Sequence, residues 1–143
     1  MTVAAILKHK GDGVFAVDPT ATVPQVARVL ADKRIGAVLV RDAAGQMLGI
    51  VSERDIVRSL AVNGINTLEM TAGQLMTRVI HMVRPRTTVA QAMEQMTLGR
   101  VRHLPVVEHG TLLGMISIGD VVKARIMQTE HEVDSLKAYV SGT

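Results

Sequence analysis

Cysteine is absent from all 143 residues. That excludes disulfide frameworks, thiolate nucleophiles and cysteine-based zinc sites. Aromatic side chains are almost missing: Phe15 and Tyr139 are the only two, and there is no tryptophan. A surface that stacks single-stranded bases normally needs aromatic platforms, so RNA- or ssDNA-binding starts at a disadvantage. No run approaches the roughly 18 apolar residues of a membrane-spanning helix. The apolar opening Met1–Leu7 is interrupted by Lys8-His9-Lys10 and has no basic segment before it, so it does not read as a signal peptide. A soluble, cytoplasmic protein is expected.

What the chain does hold is a core. Hydrophobic residues make up 48% and charged residues 20%, which excludes a disordered tail or linker. The length suits one domain or two tightly joined halves. Sixteen Lys and Arg against 13 Asp and Glu leave a net charge of +3, with a pI near 9.7. That balance permits anionic ligands without demanding nucleic acid.

An internal repeat organises the sequence. Val17-Asp18-Pro19-Thr20-Ala21-Thr22-Val23 aligns with Val83-Arg84-Pro85-Arg86-Thr87-Thr88-Val89 at a shift of 66, and Arg34-Ile35 falls on Arg100-Val101. After a one-residue difference in a turn, Gly49-Ile50-Val51-Ser52-Glu53-Arg54-Asp55 falls on Gly114-Met115-Ile116-Ser117-Ile118-Gly119-Asp120. Two copies of about 60 residues are too long and too few for a solenoid, so they read as a pseudo-twofold pair.

Each copy follows one local grammar. Thr22-Val23-Pro24-Gln25 and Thr88-Val89-Ala90-Gln91 are capping-box starts. Apolar positions then recur at helical spacing, Val23, Val26, Ala27, Leu30 and Val89, Ala92, Met93, Met96. Two strands joined by a polar, glycine-containing turn follow, and Ser52 or Ser117 stands where the next helix should be capped. With opening strands at Val14–Val17 and Val79–Val83, the expected order is β-α-β-β-α in each copy. The units span 14–65 and 79–127, with an N-terminal segment 1–13, a linker 66–78 and a C-terminal helical extension 128–143. In that last helix Val122, Ile126, Thr129, Val133, Leu136 and Val140 form a heptad-like stripe, suited equally to docking on the chain's own body or to a dimer contact.

The chemistry lies in Gly-h-h-Ser-x-x-Asp, where h is apolar. A strand that feeds directly into a helix leaves the first N–H groups pointing outward, a ready anion site. The serine hydroxyl stands at its mouth, and the aspartate offers oxygens that could take both hydroxyls of a ribose diol. Glycine in the strand permits close approach of another group. One isolated Ser-x-x-Asp is most simply a helix cap. Two at matched positions shift the balance toward a ligand site.

With its repeated Pro-x-x-Thr-Val segments, Val101-Arg102-His103-Leu104-Pro105-Val106-Val107 and the two Gly-h-h-Ser-x-x-Asp segments, the chain resembles a tandem cystathionine-β-synthase (CBS) domain pair, or Bateman module, over about residues 4–127. The resemblance implies an α/β (α+β) fold of two β-α-β-β-α units about a pseudo-twofold axis, with a long C-terminal helix added here. It also implies a small stand-alone signalling protein of bacterial type that is not an enzyme and needs no catalytic cofactor. AMP, ADP or ATP is the implied ligand, or NAD(H) or S-adenosylmethionine. A homodimer and a regulated partner protein are implied as well, with no membrane and no nucleic acid.

Residue by residue, the resemblance implies two clefts. The first would place Asp120 on the ribose and Ser117, Arg102 and His103 around the phosphate, with Thr22, Ala27, Ile35 and Gly36 as the purine wall. The second would use Asp55 for the ribose and Ser52 and Arg54 near the phosphate, with Thr88, Met93, Val101 and Arg102 opposite. The copies differ where Arg102-His103-Leu104-Pro105 faces Gly36-Ala37-Val38-Leu39 and where Arg54 faces Gly119, so the clefts should not be equivalent.

Other motifs carry less. The five histidines lack metal-ligand spacing, Lys8-His9-Lys10 reads as a solvated segment, and Gly11-Asp12-Gly13 is a turn. No Walker loop or nucleophile elbow is present. The expected function is an adenine-nucleotide-binding regulatory module. A basic nucleic-acid-associated protein, or an interaction module with vestigial clefts, is the alternative.

Overall fold

The computed structural model describes residues 1–11, 13–78 and 81–141. In chain order the elements are α1 (Val3–Lys10), β1 (Ala16–Val17), α2 (Val23–Lys33), β2 (Ala37–Arg41), β3 (Met47–Ser52), α3 (Glu53–Asn63), a 3-10 helix (Gly64–Glu69), α4 (Ala72–Leu75), β4 (Thr77–Arg78), α5 (Val89–Gly99), β5 (His103–Glu108), β6 (Thr111–Ser117) and α6 (Ile118–Val140). They divide into two compact units, Val14–Ile80 and a unit made of Met1–Gly13 with His81–Thr143. The mixed α/β class, the repeated helix and hairpin, and the long C-terminal helix agree with the sequence expectation.

In the Val14–Ile80 unit the sheet order is β1-β2-β3-β4, with β1 parallel to β2 and the other pairs antiparallel. Helix α2 starts where expected: Thr22 and Gln25 form a reciprocal capping box, so two otherwise orphaned N–H groups are satisfied. Its stripe buries Val26 and Leu30 against Val38, Val40 and Val51. Ala27, expected on that stripe, is exposed. The segment 66–78 carries the end of the 3-10 helix, α4 and β4. Thr71 and Gln74 form another capping box, Ala72 enters the core, and β4 pairs with β3. A buried hydroxyl pair, Ser59 Oγ to Thr67 Oγ1 at 2.9 Å, ties the 3-10 helix to α3.

In the other unit β5 and β6 form a hairpin closed by His109 and Gly110, both at positive φ (50° and 76°), as a type I′ turn requires. Val79 and Ile80 of the expected opening strand lie outside the described residues, as does Asp12 of the expected turn. Val83 makes a parallel bridge to Val106 beside β5. Helix α1 completes this unit. Val3 and Ile6 are buried among Val89, Leu104, Ile116 and Val121. The Val3 N–H donates to Thr87 O at 2.8 Å, and the Val89 N–H to Met1 O at 3.0 Å.

The strand glycines do admit a close neighbour, and it is the chain itself. A Cβ on Gly114 would stand 2.7 Å from Leu7 Cδ2, and one on Gly49 would stand 2.8 Å from Met76 Sδ. Thr2 bridges Thr88 just as Thr71 bridges Thr22. Thr2 therefore matches Thr71 and Leu7 matches Met76, both at a shift of 69. Thus α1 does for the second repeat what α4 does for the first.

Helix α6 buries Val121 and Ala124. The stripe from Val122 to Val140 stands exposed: Leu136 is 63% exposed and Val140 74%. None of the described helices is long and apolar enough to cross a membrane.

Candidate functional site

Each repeat builds one Ser–Asp corner. At the end of β3 the Ser52 N–H and Oγ–H donate to Asp55 Oδ2 at 2.8 and 3.0 Å, and the Asp55 N–H donates back to Ser52 Oγ at 3.3 Å. At the end of β6 the Ser117 N–H donates to Asp120 Oδ2 at 2.8 Å, and the Asp120 N–H returns to Ser117 Oγ at 3.1 Å. Both pairs are capping boxes, so the plain cap role foreseen for Ser-x-x-Asp is realised twice. Only Oδ2 is used. Among the described residues, neither Asp55 Oδ1 nor Asp120 Oδ1 takes a hydrogen bond. A carboxylate has about four acceptor positions, so each corner keeps capacity for hydroxyl donors.

The surroundings of the two corners match in backbone and differ in side chain. The Glu53 N–H donates to Gly36 O at 2.9 Å, and the Ile118 N–H donates to Arg102 O at 2.8 Å. Register pairs Ala37 with Ser52 and His103 with Ser117. Arg102 and His103 are thereby gathered with Ser117 and Asp120, and Gly36 and Arg54 with Ser52 and Asp55. Arg102 lines an open groove of about 540 Å³ with Ile118, Gly119, Val122 and Lys123. Gly119 leaves that groove unobstructed where the first repeat carries Arg54.

The remaining expected residues distribute between the units. Thr22 caps α2, Ala27 is exposed on it, and Ile35 packs partly against the core of its own unit. Thr88 caps α5, while Met93 and Val101 likewise pack against their own core.

Sequence reasoning missed Lys10. Expected in a solvated segment, it donates from Nζ to Asp120 Oδ2 at 2.6 Å and to Met115 O at 3.0 Å. Nothing in the spacing could reveal this, because the two residues meet only through the packing of α1 on β6. Burial of the Asp120 carboxylate pulls its pKa upward. The Lys10 hydrogen bond, the Ser117 N–H, the Lys10 charge and the Ser117 hydroxyl outweigh that and hold it below the usual value. A depressed folded pKa contributes stability above the unfolded value of about 3.9 and loses it as pH falls through the folded one. Asp120→Asn should therefore flatten the fall in melting temperature below about pH 4. An unchanged acid limb in a pH series of melting curves would contradict this.

Comparison with known proteins fits this geometry. The CBS domain family model matches residues 11–62 and 72–127. The chain belongs to the CBS-domain family, with two CBS units in tandem. It is 34% identical over 149 residues to the mitochondrial CBS domain-containing protein CBSX3 of Arabidopsis thaliana, covering 99% of this chain and 72% of that one. Longer relatives from the same plant are matched over 23% of their length. Among solved structures, the CBS-domain containing protein ATU1752 from Agrobacterium tumefaciens shares 44% identity at a TM-score of 0.85, covering 87% of this chain and 99% of that one. The CBS domain protein PAE2072 from Pyrobaculum aerophilum, complexed with AMP, shares 28% identity at a TM-score of 0.74, covering 84% and 89%.

Proposed function

We propose that the chain is an adenine-nucleotide-binding regulatory module that reports ligand occupancy to a partner protein and catalyses no reaction. The observation that carries this reading is the repeated corner, in which a serine and an aspartate cap a helix while Oδ1 of the aspartate takes no hydrogen bond among the described residues. A ribose diol would donate to that carboxylate. The ligand phosphate would meet the exposed helix N-terminus, with Arg102 and His103 beside Ser117 and Arg54 beside Ser52. The archaeal relative complexed with AMP supports the ligand class. Calorimetric titration with AMP, ADP, ATP, NAD(H) and S-adenosylmethionine tests it. At least one should bind and raise the melting temperature with concentration. Silence from all five at millimolar ligand would end this reading.

The working form is a homodimer, with a second copy covering the apolar stripe of α6. Val122, Ile126 and Val133 are 43%, 54% and 44% exposed at heptad-like spacing, a face that is costly to leave in water. The full chain should have twice the monomer mass by light scattering, and a chain ending at Gln128 should shift toward monomer. A monomeric full chain would contradict the dimer, and an undiminished dimer after truncation would remove α6 from the contact.

A further inference from the structure

Between α1 and α6 lies a cavity of about 370 Å³, within the size range of small-molecule sites. Its floor is apolar, with Ile6 and Ala124 buried and Met127 beside them. Its charged lining is His9 and Lys10 from α1, and Lys123 and Asp120 from α6. Lysines on a helix surface are ordinary. These converge from segments more than 100 positions apart, over one concave apolar floor, and among the described residues they outnumber the single carboxylate. Lys10 already neutralises Asp120 across 2.6 Å, which leaves Lys123, with His9 beside it, to face whatever enters.

We propose that this cavity binds phosphate groups. Resting on the nucleotide reading above, these are the β- and γ-phosphates of a nucleoside di- or triphosphate whose sugar engages Asp120 at the cavity edge and whose α-phosphate meets the N-terminus of α6. The same chemistry would also accept a free polyphosphate anion.

Calorimetry at low ionic strength with AMP, ATP and inorganic tripolyphosphate, on the wild-type chain and on Lys123→Gln and His9→Gln, tests this. Lys123→Gln should weaken ATP and any tripolyphosphate binding about tenfold, as loss of a charged hydrogen-bond donor does, and leave AMP within about twofold. His9→Gln should act in the same direction. ATP binding without tripolyphosphate binding would assign the cavity to the phosphate chain of a nucleotide. Tripolyphosphate binding as tight as that of ATP would assign it to a free anion. ATP and tripolyphosphate titrations untouched by Lys123→Gln would overturn the proposal while AMP binding kept the nucleotide reading intact. Tripolyphosphate binding with neither nucleotide bound would do the reverse.

Discussion

Asp120→Ala should weaken nucleotide binding at its corner by about 100-fold, and Asp55→Ala should do the same at the other without affecting the first. Each change removes the acceptor for two sugar hydroxyls, and each hydrogen bond to a charged group contributes about 1.5–3 kcal/mol. Part of that is recovered by water, so two decades is the expected scale. Both aspartates also cap helices, and removing a cap costs about 1 kcal/mol of stability. The comparison must therefore be made where both variants remain folded. Independence follows from the fold: Asp55 and Asp120 belong to different units, each with its own serine and its own cap. Calorimetric stoichiometry separates the cases. Two sites falling to one in each single variant agrees; unchanged stoichiometry and affinity in both would remove the aspartates from the site.

Removal of α1 should be the most destabilising change outside the sites. The helix inserts Val3 and Ile6 into the core around Leu104 and Ile116, lays Leu7 over Gly114, and supplies the Lys10 partner of Asp120. Burying an aliphatic side chain of this size contributes about 1.5–3 kcal/mol, and leaving the cavity open adds to the loss. Deleting residues 1–10 should therefore cost on the order of 5 kcal/mol, comparable with the whole stability of a small domain. Ile6→Ala alone should cost about 2–4 kcal/mol. Denaturant unfolding of both variants checks this. A full-length midpoint retained after the deletion would show that α1 is an appendage.

Much of this architecture is legible in the residues because its signals are local. Thr22 and Gln25, Thr88 and Gln91, Ser52 and Asp55, and Ser117 and Asp120 stand three apart, so their capping boxes are visible in the order of the chain. Thr71 and Gln74 carry the same signal inside what reads as a linker, where weak flanking periodicity hides a one-turn helix. What the pattern does not disclose is non-local. Helix α1 joins the second repeat across the 67 residues of the other unit, and the matching role of α4 appears only once Leu7 and Met76 are seen against equivalent glycines. The salt bridge of Lys10 follows from that packing alone. For α6, heptad-like spacing signals an apolar face but not its occupant.

The most direct measurement is a crystal structure of the full chain grown with saturating AMP. The account predicts a ribose with its diol within hydrogen-bonding distance of the Asp120 or Asp55 carboxylate, and a phosphate at the N-terminus of the helix that Ser117 or Ser52 caps. A nucleotide seated away from both corners, or both corners unoccupied at saturation, would contradict it.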